Sequence, residues 1–174
     1  MEPFITSSVG IDVAPGMVEE YNRRASAAGL SHFHAILGDL TSAEGVAEDL
    51  MDKDLFNFDI AGIGMGFHHF KHLQLSIDRI AERLRPGGLF FIVDLVHLSG
   101  DLAIGAQGVG DDFTKEAART VPHKHGFTRE DMKTLFVAAG CKNFGFVVYE
   151  KPIVMGEGEG AFTKKVFLAK ATKA

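Results

Sequence analysis

The sequence predicts an α/β fold on an open, mostly parallel sheet that closes with an antiparallel strand pair. Three observations predict it. Apolar runs of strand length alternate with helical patterns along most of the chain. One run, Leu89–Val96 (LFFIVDLV), is nearly all apolar, as a strand covered on both faces is. The last two strand-like runs are joined only by the turn GEGEGA, which leaves no room for a crossover helix, so they pair antiparallel.

The elements follow in order. Ser8–Val13 is a strand ending at the acid Asp12. Pro15–Ala28 is a helix with Pro15 at its first position and Gly29 as its C-cap. Phe33–Gly38 (FHAILG) is a second strand, followed by Asp39. Thr41 or Ser42 is placed to cap a short helix over Glu44–Met51. Phe58–Gly64 is a third strand. Leu73–Leu84 carries apolar residues at 73, 77, 80 and 84, one face of a helix, and Pro86-Gly87-Gly88 stops it. After the Leu89–Val96 strand, Ser99–Val121 is irregular and reads as a lid. Thr128 caps a helix over Thr128–Ala139 with Glu130 and Asp131 in its first turn, and Gly140 closes it. Asn143–Glu150 and Thr163–Lys170 are the closing strands. No internal repeat or domain boundary is visible.

The 174 residues suffice for one domain with a sizeable core. A net charge of −5 argues against a broad phosphate-binding surface and so against nucleic acid as the main partner. No apolar run reaches the roughly 18 residues of a membrane span. The N-terminus lacks the basic and apolar regions of a secretory signal, and the lone Cys141 has no internal disulfide partner. The cytoplasm is the expected compartment, with the nucleus as the alternative.

Several residues can carry chemistry. Asp12 ends a strand where ligands of doubly wound sheets bind; it reads either as an acceptor for both ribose hydroxyls or as a helix-capping loop acid. Asp39 reads as an acceptor for the exocyclic amine of an adenine or as an N-cap. Two such acids in successive units feed the same sheet edge. Gly62, Gly64 and Gly66 (GIGMG) match a dinucleotide loop only superficially, and read as a strand end kept bare for close ligand approach. His68, His69 and His72 form H-H-x-x-H. On one helix His68 and His72 would share a face, but no Glu stands in the metalloprotease position, and no metal is expected. A His that acts as a base beside an acceptor is the functional reading. Asp94 is an acid inside an apolar run and needs a partner or an opening. His97 is close enough in sequence to share its surroundings. His123 and His125 precede the last helix, and either face the same cleft or are ordinary loop residues.

The strings VGIDVAPGMVEEYNRRA, ILGDL, FDIAGIGMGFHHF, RIAERLRPGGLFFIVDLV and HGFTREDMKTLFVAAG, in this order, resemble class I S-adenosylmethionine (SAM) dependent methyltransferases. The likeness is to the small-molecule type of ubiquinone and menaquinone biosynthesis, and covers nearly the whole chain. It implies a Rossmann-like sheet and SAM as cofactor. It implies that Asp12 bonds the ribose, Met17 packs on the adenine, and Asp39 meets the adenine amine with Leu40 beside it. Gly64 and Met65 then contact the methionine part, and His68 and His69 lie near the methyl acceptor, a small molecule.

One departure is large. The family's first strand ends in an E/D-x-G-x-G-x-G loop, and nothing in MEPFITSS matches it. The chain is therefore expected to be a single, N-terminally truncated domain over 1–174, missing the first βα unit. In the family sheet that strand lies between the Ser8–Val13 and Phe58–Gly64 strands. Its loss predicts a gap or their direct pairing, and an open edge predicts homo-oligomerisation or a partner protein, with strand exchange as one route. Two functions follow: a methyltransferase, incomplete for catalysis alone, or an inactive pseudo-methyltransferase that serves as a binding or oligomerising scaffold. An NAD-binding oxidoreductase needs the same loop and fits the RPGG string less well.

Overall fold

A computed structural model describes residues 4–97, 122–123, 125–155 and 162–174. The chain divides into two compact units, Met1–Leu55 and Phe56–Ala174. The lid reading of Ser99–Val121 falls outside the described residues, as does the GEGEGA turn.

In the first unit, β1 (Ser8–Asp12) and β2 (Phe33–Leu37) form a two-stranded parallel sheet with Gly10 opposite Ala35. Helix α1 (Pro15–Ala27) connects them, with Pro15 at its start as the sequence predicts. Asn22 of α1 ties the helix to β2: its side-chain amide donates to the Ala35 carbonyl at 2.9 Å, and its oxygen accepts the Ala35 N–H at 2.7 Å. Within the first unit β1 is paired with β2 alone among the described residues.

The helix expected over Glu44–Met51 is not formed. Two short 3-10 turns, Glu48–Met51 and Lys53–Leu55, stand in its place. The cause is local. Thr41 spends its N–H and hydroxyl on Asp39 rather than on a helix start. Gly45 then adopts φ +126°, which breaks any helical run.

The second unit is a four-stranded sheet in the order β3-β4-β8-β5. Strand β3 (Phe58–Gly64) lies parallel to β4 (Leu84–Leu95), while β8 (Val166–Lys173) runs antiparallel to β4 and to β5 (Cys141–Val148). The closing antiparallel pair is thus β5–β8. A separate hairpin, β6 (Ile153–Met155) and β7 (Phe162–Lys164), precedes β8. Helix α2 (Leu73–Glu82) ends two residues before the predicted boundary, because pairing resumes at Leu84, opposite Phe58. Pro86-Gly87-Gly88 is not a break before the strand but a bulge within it, with Gly87 at φ +76°.

Burial alternates along β4. Phe90, Ile92 and Asp94 are buried, whereas Leu89, Phe91 and Val93 are only half-buried. The apolar run expected to be covered on both faces is therefore fully covered on one. Phe90 and Ile92 share their core with Phe67, Ile77 of α2, Phe167 of β8, and Met132 and Phe136 of α3 (Arg129–Ala138).

Helix α3 starts with the capping box its sequence announces. The Thr128 hydroxyl accepts the Asp131 N–H at 3.1 Å, and the Asp131 carboxylate accepts the Thr128 N–H at 2.8 Å. The hydrogen bond from the Thr128 hydroxyl, then that from its backbone N–H, hold the Asp131 carboxyl below its ordinary value. Thr128→Ala is expected to cost about 1 kcal/mol at neutral pH. A carboxyl lowered in the folded state stabilises above its unfolded value, about 3.9, and that share is lost as pH falls through the folded one. The gap between wild type and variant therefore narrows below about pH 4, as urea unfolding at several pH values would show.

Candidate active site

The first unit carries two predicted acids to one edge. Asp12 is the last residue of β1, paired with Leu37, and its carbonyl accepts the Gly38 N–H at 2.9 Å. The strand register thus sets Asp39 two residues beyond Asp12's partner, at the carboxyl end of the same parallel pair. Each acid uses one carboxylate oxygen, Oδ1, on its own loop. Asp12 accepts the Ala14 N–H at 2.8 Å, and Asp39 accepts the Thr41 N–H at 2.6 Å and its hydroxyl at 2.7 Å. Neither acid is a helix N-cap of the expected kind: Ala14 occupies that position for α1, with no side-chain cap.

Both Oδ2 atoms lack a hydrogen-bond partner among the described residues. Gly38 lies between them in a tight spot, where a side chain would press on the Leu50 methyl groups and on Ile11. Met17, on the first turn of α1, is 61% exposed and leaves an apolar surface one turn beyond Asp12. Leu40 is half-buried beside Asp39. Two fixed carboxylates that accept hydrogen bonds, with a thioether side chain nearby, suit a diol and an aromatic amine, the donors of adenosine.

In the second unit the end of β3 leads into the histidine turn. Gly62 is not bare for a ligand, as the sequence suggests; a Cβ there would run into the Phe91 ring on the neighbouring strand. Gly64 has open space where a side chain would be. Met65 follows at φ +54°, a left-handed conformation that costs an ordinary residue about 1 kcal/mol or more, and its N–H is held by the Val93 carbonyl at 2.8 Å. Unfavourable backbone of this kind concentrates at functional sites.

Phe67–His69 then forms a 3-10 turn, and Phe70 is extended. His72 is the N-cap of α2, so His68 and His72 do not share the helix that H-H-x-x-H suggested. No group of three His, Cys, Asp or Glu side chains among the described residues is set to hold a metal.

His68 is buried and His69 exposed, with their rings 4.2 Å apart. The His68 Nδ1 lies 2.7 Å from the Asp94 Oδ1. The His68 backbone N–H donates to Asp94 Oδ2 at 3.1 Å, and the Leu95 N–H to Oδ1 at 2.6 Å. Partial desolvation first, and the neighbouring His68 second, push the His69 pKa down from its ordinary value, against a smaller upward pull from Asp94.

Asp94 is the residue whose part the sequence left open. The signal was an acid in an apolar strand, where a buried carboxylate must find donors. Its ring partner, however, is His68, twenty-six residues earlier, and not His97. The His97 ring lies 6.2 Å from that of His125, and the His123 ring packs on Phe127 at 5.4 Å.

Parallel strands joined through helices, with acids at their carboxyl ends, define a Rossmann-like α/β fold. Residues 2–92 match the methyltransferase domain family, and the chain belongs to that family. It is 29% identical over 143 residues to an uncharacterized methyltransferase of Schizosaccharomyces pombe, a match that covers 81% of this chain and 48% of the relative. The chain thus spans about half the length of that relative. Among solved structures, the YcgJ protein of Bacillus subtilis superposes with a TM-score of 0.68 at 16% identity, over 98% of this chain and 84% of that one. A SAM-dependent methyltransferase of Aquifex aeolicus does so at 0.59 and 14% identity, over 97% and 69%. Likeness at such identities establishes the fold. No helix among the described residues is long and apolar enough to cross a membrane.

Proposed function

We propose that this protein is a SAM-dependent methyltransferase that acts on a small molecule. The observation that carries this reading is the pair Asp12 and Asp39, held at one sheet edge with an unengaged oxygen each. Asp12 accepts from the ribose hydroxyls and Asp39 from the adenine amine, while Met17 and Leu40 offer apolar contact to the ring. In the second unit, Gly64, with open space where a side chain would be, and the left-handed Met65 are the candidates for the methionine portion. When bound, SAM supplies an electrophilic methyl group on a sulfonium. The chain's own part is to hold and align, the larger share of catalysis in such transfers, and His68 and His69 stand beside the acceptor.

Calorimetric titration with SAM tests the reading. Binding in the micromolar range, competed by S-adenosylhomocysteine, is the expected result. A chain that releases no heat and shows no change in melting temperature with excess SAM overturns it.

A second reading, a pseudo-methyltransferase that serves as a scaffold, is supported by the sheet edges. β1 is paired only with β2, and β3 only with β4, among the described residues. Ile60 on β3 is 51% exposed. Such edges accept further strands, and a second copy of the chain is the simplest donor. Sedimentation at several concentrations distinguishes a monomer from a self-associating chain.

A further inference from the structure

Asp94 is wholly buried in the described fold, and His68 is buried with 9% of its side chain exposed. A lone carboxylate at such a position would be strongly unfavourable, and three donors converge on it: the His68 ring, the His68 backbone and the Leu95 backbone. Two of the three come from one residue. The carboxylate thus fixes both where His68 sits and how its ring is turned. Asp94 stands on the core face of β4 with Phe90 and Ile92, and the 3-10 turn that carries His68 has Phe67 fully buried beneath it. This rigid mounting is more than packing requires, since an apolar pair of similar size would fill the same space without a desolvated charge.

A carboxylate that accepts from Nδ1 leaves Nε2 as the ring's basic nitrogen. No hydrogen bond among the described residues engages His68 Nε2. We propose that Asp94 is a positioning residue that locks His68 in the Nδ1–H form, so that Nε2 takes the proton released by the methyl acceptor. The substrate class is then one whose nucleophilic atom carries a proton to lose: a hydroxyl, a thiol or a protonated amine. The balance is simple. The acceptor's X–H bond breaks and its electron pair forms the new X–CH3 bond, while the methyl–sulfur bond of a bound SAM would break with its pair left on sulfur, so that S-adenosylhomocysteine leaves as the neutral thioether. The proton forms an N–H bond at Nε2, and the imidazolium is neutralised across Nδ1–H by the Asp94 carboxylate. Among the described residues His123 also meets this turn, its backbone N–H donating to the His68 carbonyl at 3.2 Å.

This inference rests on the methyltransferase reading, and the test separates the two. Nitrogen-15 spectra of the full chain with labelled histidine, assigned with His68→Gln and His69→Gln, give the tautomer of each ring. The expected result is a His68 with Nδ1–H and a bare Nε2. In Asp94→Asn the preference for Nδ1–H is lost. A wild-type His68 in the Nε2–H form overturns the proposal. The wild-type spectrum alone decides this if the variant fails to fold. Titration of the same samples with SAM addresses the other reading: absent binding refutes the methyltransferase and leaves the tautomer assignment intact.

Discussion

Gly126→Ala is expected to lower the stability of the Phe56–Ala174 unit by roughly 3 kcal/mol, the largest loss of any glycine substitution among its described residues. Two costs combine at this position. Gly126 has φ +78°, where an alanine loses about 1–2 kcal/mol. The new Cβ would also collide with the backbone carbonyl of Leu95, which cannot rotate away as a side chain can. That carbonyl accepts the Phe127 N–H at 2.9 Å, and the Phe127 carbonyl accepts the His97 N–H at 2.9 Å. The bridge between β4 and the segment entering α3 must open to admit a methyl group. Gly140→Ala is the control. Gly140 has φ +73° but open space around it, so only the conformational cost of about 1–2 kcal/mol applies. Urea unfolding of both variants measures the difference, and equal losses would show that the Leu95 contact is soft.

Asp12→Ala is expected to weaken SAM binding by about 10- to 100-fold, the value of hydrogen bonds of about 1.5–3 kcal/mol to a charged group. The same substitution also removes the acceptor of the Ala14 N–H, which costs α1 about 1 kcal/mol of stability. The two effects are separable. Asp12→Asn keeps an oxygen for Ala14 and removes the charge. It should melt like the wild type and still bind SAM several-fold more weakly in calorimetry. An asparagine variant that binds as tightly as the wild type would make Asp12 only a loop cap.

Much of the architecture is legible in the sequence because its signals are local. Strand β1 and its helix follow from an apolar run and Pro15, and the start of α3 follows from Thr128 and Asp131, whose reciprocal bonds span three residues. The Glu44–Met51 helix fails for a reason the sequence contains but does not weigh: Asp39 takes the donors of Thr41, and Gly45 breaks the run. The start of β4 was hidden because Pro86-Gly87-Gly88 reads as a stop, and only the pairing of Phe58 with Leu84 shows that it is a bulge. The bare look of Gly62 is likewise a packing matter, settled by the Phe91 ring on the next strand.

By itself, then, the sequence determined the α/β class, the strand order's parallel character, the closing antiparallel pair and the placing of Asp12 and Asp39 at strand ends, since each rests on residues near one another in the chain. Tertiary structure alone decided which partner a buried acid takes. Asp94 and His68 are brought together by the pairing of β3 with β4, and a carboxylate without water must be matched by donors from whatever backbone that pairing sets against it.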